Sequence, residues 1–174
     1  IICAKVRYSD KAGITITGGK GVGRVTKPGL AIPVGGYAIN PVPRKMLMLE
    51  LMPYLSGEKG LEVIISVPKG RSLAKRTFNP RLGITGGISI IGTTGIVEPK
   101  SLEAYKATLA IQLDVLKAAG KKRAILILGY VGEKFCKEEL KLNPDSVVKI
   151  GDNVGFMALE CAKRDINDVL LIGY

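Results

Sequence analysis

The apolar and polar positions predict two kinds of structure along the chain. Residues 2–8 alternate apolar and polar side chains, and Ile14 and Ile16 alternate with threonines after a turn at 9–11. Strict alternation indicates strands with one buried face, and the short turn predicts that these two strands form a hairpin. Residues 61–67 are rich in β-branched side chains, which predicts a further strand.

A helix is predicted between the hairpin and this last strand. Asn40 is a candidate N-cap, and Pro41 follows it at a position where the first helical turn tolerates proline. Leucines and methionines recur over the next fifteen or so positions, and we expect the methionines to fill the core. Pro53 limits the length of the helix.

From about residue 86 the pattern changes to short apolar runs separated by longer amphipathic stretches. Residues 124–128 show no alternation, which is typical of a parallel strand covered on both faces. Ser101 is a candidate N-cap for a helix that reaches about Ala119. The remaining apolar runs predict three more strands, at 88–91, 147–150 and 169–172.

The order of these elements, β-α-β-α-β-α-β, predicts an α/β protein in its second half. We expect a basic α+β domain at 1–84, on the substrate side, and a cofactor-side domain at 85–174. The second domain should be a three-layer α/β/α Rossmann-like unit with a mainly parallel sheet. The chain begins at Ile1 without an initiator Met and stops on a predicted strand, so we expect it to be a fragment of a longer protein.

Composition narrows the chemistry that this chain can use. Its 174 residues contain no histidine, which excludes Ser-His-Asp or Cys-His catalysis and histidine ligation of a metal within this sequence. The three cysteines form no Cys-x-x-Cys motif, and this fits a reducing cytoplasm and argues against zinc. No apolar run reaches the roughly eighteen residues of a membrane span, so no membrane partner is expected.

The positive charge is concentrated in the first part of the chain. The net charge is +11; residues 1–100 hold 15 basic and 5 acidic residues, whereas residues 101–174 hold 11 and 10. Such an imbalance predicts an anionic partner, either nucleic acid or a small polycarboxylate or phosphate. Aromatic residues make up 5% of the chain and Trp is absent, so base stacking is poorly supported and no nucleic acid is expected.

A glycine-rich basic stretch lies at 18–29. It matches neither a Walker loop nor the Gly-x-Gly-x-x-Gly fingerprint of dinucleotide-binding proteins. Two interpretations remain open for it. One is a flexible hairpin loop, and the other is an anion cradle in which exposed backbone N–H groups are flanked by Lys20, Arg24 and Lys27.

Three further glycine loops, 92–95, 129–132 and 151–155, each follow a predicted strand. Parallel strands end at one edge of their sheet, where α/β proteins bind ligands, so these loops predict a cofactor site. Glu98 lies just beyond the first loop. It would pair with a ribose or a cation, or it would be an ordinary acidic residue at a helix N-terminus.

Three sequence blocks resemble the CbiD family of cobalt-precorrin-5B C(1)-methyltransferases. The blocks are Gly19–Leu30 with Ile39–Arg44, Thr77–Pro99, and the shorter Asn153–Met157. The resemblance covers essentially the whole chain and implies methyl transfer from S-adenosylmethionine to a ring carbon of a cobalt-bearing tetrapyrrole in anaerobic cobalamin biosynthesis. The loop at 129–133 departs from the Gly-Asn-x-Gly-Glu pattern expected of the family.

The resemblance assigns candidate site residues. Arginine binds carboxylates in a bidentate manner, so the carboxylates of the implied substrate favour Arg24, Arg44, Arg76 and Arg81. The substrate-binding candidates are Arg24, Lys27, Asn40, Arg44, Asn79 and Arg81. The candidates for binding S-adenosylmethionine are Gly92, Thr93, Thr94, Gly95, Glu98, Gly129, Gly132 and Asn153.

No catalytic residue and no metal ligand are assigned from the sequence. The site is expected in a cleft between the two domains, near Thr93, Thr94 and segment 77–87, and a homo-oligomer is compatible with the sequence. The sequence gives weaker support to two other functions. A nucleotide-linked oxidoreductase would need the Gly-x-Gly-x-x-Gly spacing that loop 92–95 lacks, and a nucleic-acid-binding module would need stacking aromatics.

Overall fold

The computed structural model describes residues 1–55, 57–92 and 101–173. The fold is mixed α/β, and the chain divides into two compact units. The first unit comprises Ile1–Lys27 with Ala31–Val97, and the second comprises Pro28–Leu30 with Glu98–Tyr174. Among the described residues, no helix is both long and apolar enough to cross a bilayer.

The first unit is built on a three-stranded sheet, a two-stranded ribbon and two helices. Its strands are β1 (Cys3–Ser9), β2 (Ile14–Gly18), β3 (Arg24–Val25), β4 (Gly60–Ser66) and β5 (Ile84–Thr85), and its helices are α1 (Pro41–Leu51) and α2 (Gly70–Ala74). A short 3-10 turn, Met52–Tyr54, follows α1. The sheet has the order β1-β4-β2, and β3 pairs with β5.

The predicted hairpin between the first two strands is wrong. β4 lies between them, antiparallel to β1 and parallel to β2. Leu61, Val63 and Ile65 of β4 are almost fully buried, whereas nearly all of β1 is exposed. The most apolar strand therefore takes the central position, because burial on a sheet face outweighs the local preference of a short turn.

Helix α1 begins at Pro41, with Asn40 at its N-cap, as the sequence predicts, although the Asn40 side chain forms no capping hydrogen bond. The helix packs Leu47 and Leu51 against the core of β2 and β4. Its methionines do not fill the core: Met48 is 43% exposed, and Met46 and Met52 are likewise exposed. Only one stripe of a helix faces its sheet, and the leucines already occupy that stripe.

Residues 88–91 do not form the first strand of a parallel sheet, contrary to the sequence-based prediction. Ile88 forms an isolated parallel bridge with Val22, and Ile90 forms another with Ile39. These bridges place the segment in the first unit, beside the glycine-rich stretch. A run this short carries no information about its pairing partner, so tertiary context decided the outcome.

Three glycines allow backbone segments to approach closely in the first unit. Gly21 has φ = 78°, and a Cβ atom there would lie 1.8 Å from the carbonyl oxygen of Val67. The carbonyl oxygen of Gly21 in turn lies 2.0 Å from the Cβ position of Gly70 and 2.1 Å from that of Gly87. We call Gly21, Gly70 and Gly87 the glycine junction; no side chain fits at any of them.

The second unit contains a parallel sheet and three helices. Its strands are β6 (Arg123–Ile127), β7 (Val147–Lys149) and β8 (Asp168–Ile172), and its helices are α3 (Leu102–Ala118), α4 (Tyr130–Glu138) and α5 (Val154–Ala162). The strand order is β7-β6-β8, with both pairs parallel. These strands confirm three of the four predicted for this half, and Ser101 caps α3 by accepting a hydrogen bond from the Ala104 N–H at 3.2 Å.

The two edges of this sheet differ. Gln112 of α3 closes the β7 edge: its Nε2 donates to the Lys149 carbonyl oxygen at 3.1 Å, and its Oε1 accepts from the Lys149 N–H at 3.3 Å. The amide thereby satisfies backbone groups that would otherwise lack a strand partner. On β8, by contrast, the side chains of Val169, Leu170 and Leu171 are 40–48% exposed.

An ionic cluster joins α3 to the end of α5. The Arg164 guanidinium donates to the Asp114 carboxylate, with Nε to Oδ1 at 2.7 Å, and also to the buried carboxylate of Glu160. Lys163 donates to the Glu160 Oε1 at 2.7 Å. Hydrogen bonds from Lys163 and then from Arg164 lower the pKa of the Glu160 carboxyl.

Substitution of Gly21 by Ala should lower the free energy of unfolding by about 3 kcal/mol, because the methyl group meets a backbone carbonyl and the residue is held in a left-handed conformation. Gly86→Ala is the matched control, since Gly86 has φ = 81° but no atom within 4 Å of its Cβ position. The control should cost about 1–2 kcal/mol. Urea unfolding of both variants measures the difference, and equal costs would contradict the steric argument.

Glu160→Gln should lower the free energy of unfolding by about 1–2 kcal/mol at pH 7. Because the pKa of Glu160 is lowered by folding, its stabilisation is fully present above the unfolded-state value of about 4.3 and is lost as the pH falls through the folded value. The gap between variant and parent should therefore close in acid. Chemical unfolding at pH 7 and at pH 3 measures this gap.

The control for this prediction is Glu138→Gln, because Glu138 is exposed and pairs, among the described residues, with the equally exposed Lys134 at 3.7 Å. Its loss should cost under about 0.5 kcal/mol at either pH. A gap for Glu160→Gln that stays constant between the two pH values would show that the carboxylate is not the source of the stability.

Candidate functional site

The carboxyl ends of β6 and β8 frame a depression of about 430 Å3 in the second unit. In a parallel sheet this edge is where α/β proteins bind small ligands. The depression belongs to the loop and helix start that follow β6, together with the residue after β8. Its lining consists of Leu128, Gly129, Tyr130, Val131, Gly132 and Gly173.

Helix α4 begins at this depression. Gly129 is its N-cap in an extended conformation, and no atom lies within 4 Å of its Cβ position. Gly132 is buried, and its Cβ position lies 3.4 Å from both the Ile127 Cβ and the Ile172 carbonyl oxygen, so the helix lies close to both strands. The Glu133 N–H is the first to bond within the helix, at 3.1 Å to the Gly129 oxygen.

The first turn of α4 therefore offers backbone N–H groups that have no partner inside the helix, at its positive end. Two predicted cofactor residues, Gly129 and Gly132, line the same depression. Their roles differ: Gly129 leaves open space, and Gly132 allows close helix-to-strand packing. A carboxylate is a suitable ligand for such a helix start.

Asn153, a third predicted cofactor residue, is the N-cap residue of α5 and follows β7. Its Nδ2 donates to the Ile150 carbonyl oxygen at 3.2 Å and to the Asp152 Oδ1 at 3.2 Å. The Asn153 amide thus stabilises the turn between β7 and α5, at the carboxyl end of β7. Asn153 is not among the residues that line the depression.

Gly92 does not belong to this edge. It lies two residues beyond Ile90, whose carbonyl oxygen accepts from the Asn40 N–H at 3.0 Å in the first unit. The prediction that each of the three glycine loops follows a strand of one parallel sheet is therefore wrong for the strand before Gly92, because residues 88–90 pair in the first unit. Thr93, Thr94, Gly95 and Glu98 lie outside the described residues.

The first unit contains the predicted substrate-binding residues, and the Arg24 side chain among them is exposed and makes several contacts. Its NH1 group donates to the Gly35 carbonyl oxygen at 3.1 Å, and its NH2 group donates to the Tyr37 hydroxyl at 2.9 Å. The guanidinium carbon also lies 4.2 Å from the centroid of the Tyr37 ring. Arg24 is thus exposed but held in one orientation.

Lys27 and Arg81 lie near the same ribbon of β3 and β5. Thr26 donates its N–H and its hydroxyl to the Gly83 carbonyl oxygen, both at 2.7 Å. The aliphatic stem of Lys27 passes over Gly83, two residues beyond Arg81. Arg24 and Lys27 thus belong to or follow β3, and Arg81 precedes β5, the strand that pairs with β3.

Arg44 and Asn79 bind within the protein. Arg44 donates from Nε to the Ile39 carbonyl oxygen at 2.9 Å and from NH1 to the Ile16 carbonyl oxygen at 2.8 Å. Asn79 is buried; its Nδ2 donates to the Gly87 carbonyl oxygen at 3.1 Å, and its Oδ1 accepts from the Ser89 hydroxyl at 3.2 Å. Both side chains therefore connect segments of the fold.

The sequence interpretation missed Tyr37 as a partner of Arg24. A tyrosine that follows two glycines gives no sequence signal for pairing with an arginine thirteen residues earlier, since only the bridge between positions 24 and 37 brings them together. Within the described residues, no group of three or more Cys, Asp or Glu side chains is arranged to hold a metal ion.

These elements define a mixed α/β protein with a glycine-lined sheet edge in one unit and ordered cations in the other. A CbiD family model matches residues 1–99. Cobalt-precorrin-5B C(1)-methyltransferase of Methanobrevibacter smithii is 47% identical over 168 residues, which are 97% of this chain and 46% of that protein. The enzyme of the same name from Geobacillus kaustophilus is 44% identical over 99% of this chain and 48% of its own length.

The chain belongs to the CbiD family. It spans about half the length of the curated relatives that it matches. A crystal structure described as a cobalamin biosynthesis protein (cbiD) from Archaeoglobus fulgidus is 24% identical, covers 97% of this chain and 63% of that one, and superposes with a TM-score of 0.39.

Arg44→Ala should lower the free energy of unfolding by about 1.5–3 kcal/mol, because it leaves two backbone carbonyls in a half-buried region without their charged donor. Arg24→Ala should cost under about 1 kcal/mol, since its hydrogen bonds are exposed to water. Thermal and urea unfolding of the two variants measure the contrast. Similar losses for both would contradict the structural role assigned to Arg44.

Proposed function

We propose that this chain is part of an S-adenosylmethionine-dependent C-methyltransferase that converts cobalt-precorrin-5B to cobalt-precorrin-6A in cobalamin biosynthesis. The observation that carries the proposal is the CbiD match over residues 1–99, together with relatives of that name at 44–47% identity across nearly the whole chain. The activity belongs to the whole protein, of which the relatives show about twice this length.

We further propose that the second unit is a three-layer Rossmann-like fold that binds the methyl donor. Support comes from the parallel order β7-β6-β8 and from helices that follow β6 and β7. Cys136 of α4 packs against Ile125 and Ile127, one set of alternating side chains on β6. The Gln112 side chain of α3 binds the Lys149 backbone at the β7 edge of the same sheet.

The depression at the start of α4 suits the donor's amino-acid end. S-adenosylmethionine carries a carboxylate, which would accept hydrogen bonds from the first-turn N–H groups of α4. The open space at Gly129 admits this group, and Tyr130, which is 73% exposed, offers a ring beside it. Asn153 at the neighbouring helix start is a further proposed contact.

On the substrate side, the acetate and propionate groups of the precorrin would meet the positive first part of the chain. Arg24, Lys27 and Arg81 are the proposed carboxylate-binding residues; support comes from the positions of Arg24 on β3, of Lys27 just after it and of Arg81 just before β5, its partner strand. Asn40 remains a proposed contact at the start of α1. For Arg44 and Asn79, whose side chains bind backbone groups, we propose an indirect role in shaping the same surface.

When bound, the donor supplies an electrophilic methyl group on sulfur, which passes to a ring carbon as S-adenosylhomocysteine leaves. Such a transfer depends mainly on an in-line approach, and orientation can contribute up to roughly 7–11 kcal/mol. The protein's contribution is to hold both reactants, so the absence of histidine from the sequence does not oppose the reaction. Cytoplasmic location, homo-oligomerisation, the inter-domain cleft and the exclusion of nucleic acid stay predictions.

Gly129→Leu should weaken S-adenosylmethionine binding at least about tenfold, because a side chain would occupy the depression while the extended backbone accepts it without strain. Isothermal titration with S-adenosylmethionine and S-adenosylhomocysteine measures the effect. Ala107→Leu, which adds comparable volume on an exposed part of α3, is the control and should bind as the parent does.

Two outcomes would count against the proposal. Unchanged affinity in Gly129→Leu, with the fold intact by circular dichroism, would remove the donor from this depression. A parent protein that binds neither ligand would show that these residues alone do not form the donor site.

A further inference from the structure

The side chain of Tyr37 makes two different contacts with Arg24. Its hydroxyl oxygen accepts a hydrogen bond from NH2 at 2.9 Å, and its ring lies under the guanidinium, with 4.2 Å between the carbon and the centroid. The two residues are direct partners in an isolated antiparallel bridge. The backbone pairing therefore holds the α-carbons of Arg24 and Tyr37 close together, independently of their side-chain contacts.

Space for the Tyr37 ring depends on Gly18. A Cβ atom at Gly18 would lie 2.3 Å from Cδ1 of Tyr37 and 2.7 Å from Cγ, so any larger residue would displace the ring. Tyr37 is also one of the side chains packed against the core of the first unit. The Tyr37 ring is therefore packed against the core of the first unit and also contacts the Arg24 guanidinium.

The guanidinium keeps binding capacity in this arrangement. Arginine has five N–H donors, and within the described residues two of its groups donate, one to Gly35 and one to Tyr37. An exposed arginine normally loses rotamer entropy when it binds a carboxylate. A side chain already ordered by stacking and hydrogen bonding loses less, which increases affinity without a new contact to the ligand.

Arg44 shows what a purely structural arginine looks like in the same unit. Its Nε and NH1 groups both donate to backbone carbonyls in a half-buried position. Arg24 differs in two ways. It is exposed, and its guanidinium divides its hydrogen bonds between the backbone, from NH1 to the Gly35 carbonyl oxygen, and a side chain, from NH2 to the Tyr37 hydroxyl. The Arg24 guanidinium is therefore anchored at the surface, where an external carboxylate can reach it.

We propose that Tyr37 is a positioning residue that orders the Arg24 guanidinium for a carboxylate of the substrate. The inference rests on the proposed function, in which Arg24 contacts the tetrapyrrole's carboxylates. It adds a residue, Tyr37, that acts through Arg24 and does not touch the ligand. Tyr37→Leu should therefore weaken binding only when Arg24 is present.

The test is a double-mutant cycle on the protein, with uroporphyrin, a tetrapyrrole that bears acetate and propionate groups, as the probe. Binding is followed by fluorescence at fixed ionic strength for the parent, Arg24→Ala, Tyr37→Leu and the double variant. Arg24→Ala should weaken binding about tenfold and Tyr37→Leu about threefold. The double variant should match Arg24→Ala within error.

A conservative variant separates the two contacts. Tyr37→Phe keeps the ring under the guanidinium and loses only the hydroxyl, so it should weaken binding less than Tyr37→Leu, by about twofold. Arg123→Ala is the matched control, because it removes an exposed arginine of the second unit that pairs with Asp168, and it should not interact with Tyr37→Leu in a cycle of its own. Thermal unfolding of every variant confirms that the fold is retained.

Different results identify different errors. If the parent does not bind uroporphyrin, or if Arg24→Ala binds as the parent does, the proposed substrate surface is wrong and the inference falls with it. If Arg24→Ala weakens binding but Tyr37→Leu does not, the substrate surface stands and the role of Tyr37 is overturned. A Tyr37→Leu effect of equal size with and without Arg24 would also overturn it.

Discussion

The close approach of backbone segments at the glycine junction is the constraint on which the first unit depends. With no side chain at Gly21, Gly70 or Gly87, three backbone segments come close together, and the Ile88 N–H donates to the Gly21 carbonyl oxygen at 3.0 Å. The bridge between Val22 and Ile88 accompanies this contact. Two sequence blocks that carry the likeness to the CbiD family, separated by more than thirty residues, thereby come into contact.

The first part of the chain is strongly basic, and the fold accommodates its arginines in two ways. Arg44 is half-buried and donates to two backbone carbonyl oxygens, whereas Arg24 is exposed and donates to the Gly35 carbonyl oxygen and the Tyr37 hydroxyl at the surface. Burial of an unpaired charge would be costly, so the fold either satisfies a guanidinium or leaves it exposed. Only the exposed group can bind an external anion, and the two kinds of arginine look alike in the sequence.

The second unit solves a different physical problem, the open edges of a small parallel sheet. The side-chain amide of Gln112 binds the backbone groups at the β7 edge, and Gly132 lets α4 pack closely against β6 and β8. Gly129, three residues earlier, leaves space at the first helical turn. Close packing of α4 on the sheet and open space at the start of α4 therefore both depend on the short stretch 129–132. This supports the proposed binding of the methyl donor at the start of α4.

The sequence by itself determined the elements with a clear local signal: the apolar strand β6, the Ser101 cap of α3 and the start of α1 at Pro41. Tertiary structure alone decided which strands pair. β4 separates β1 from β2, and residues 88–90 join the first unit, because short apolar runs are compatible with several partners and burial selects among them. The same holds for the candidate site, where Arg24 and Tyr37 meet only through a bridge between distant positions. Local patterns specify what an element is, whereas long-range packing specifies what it touches.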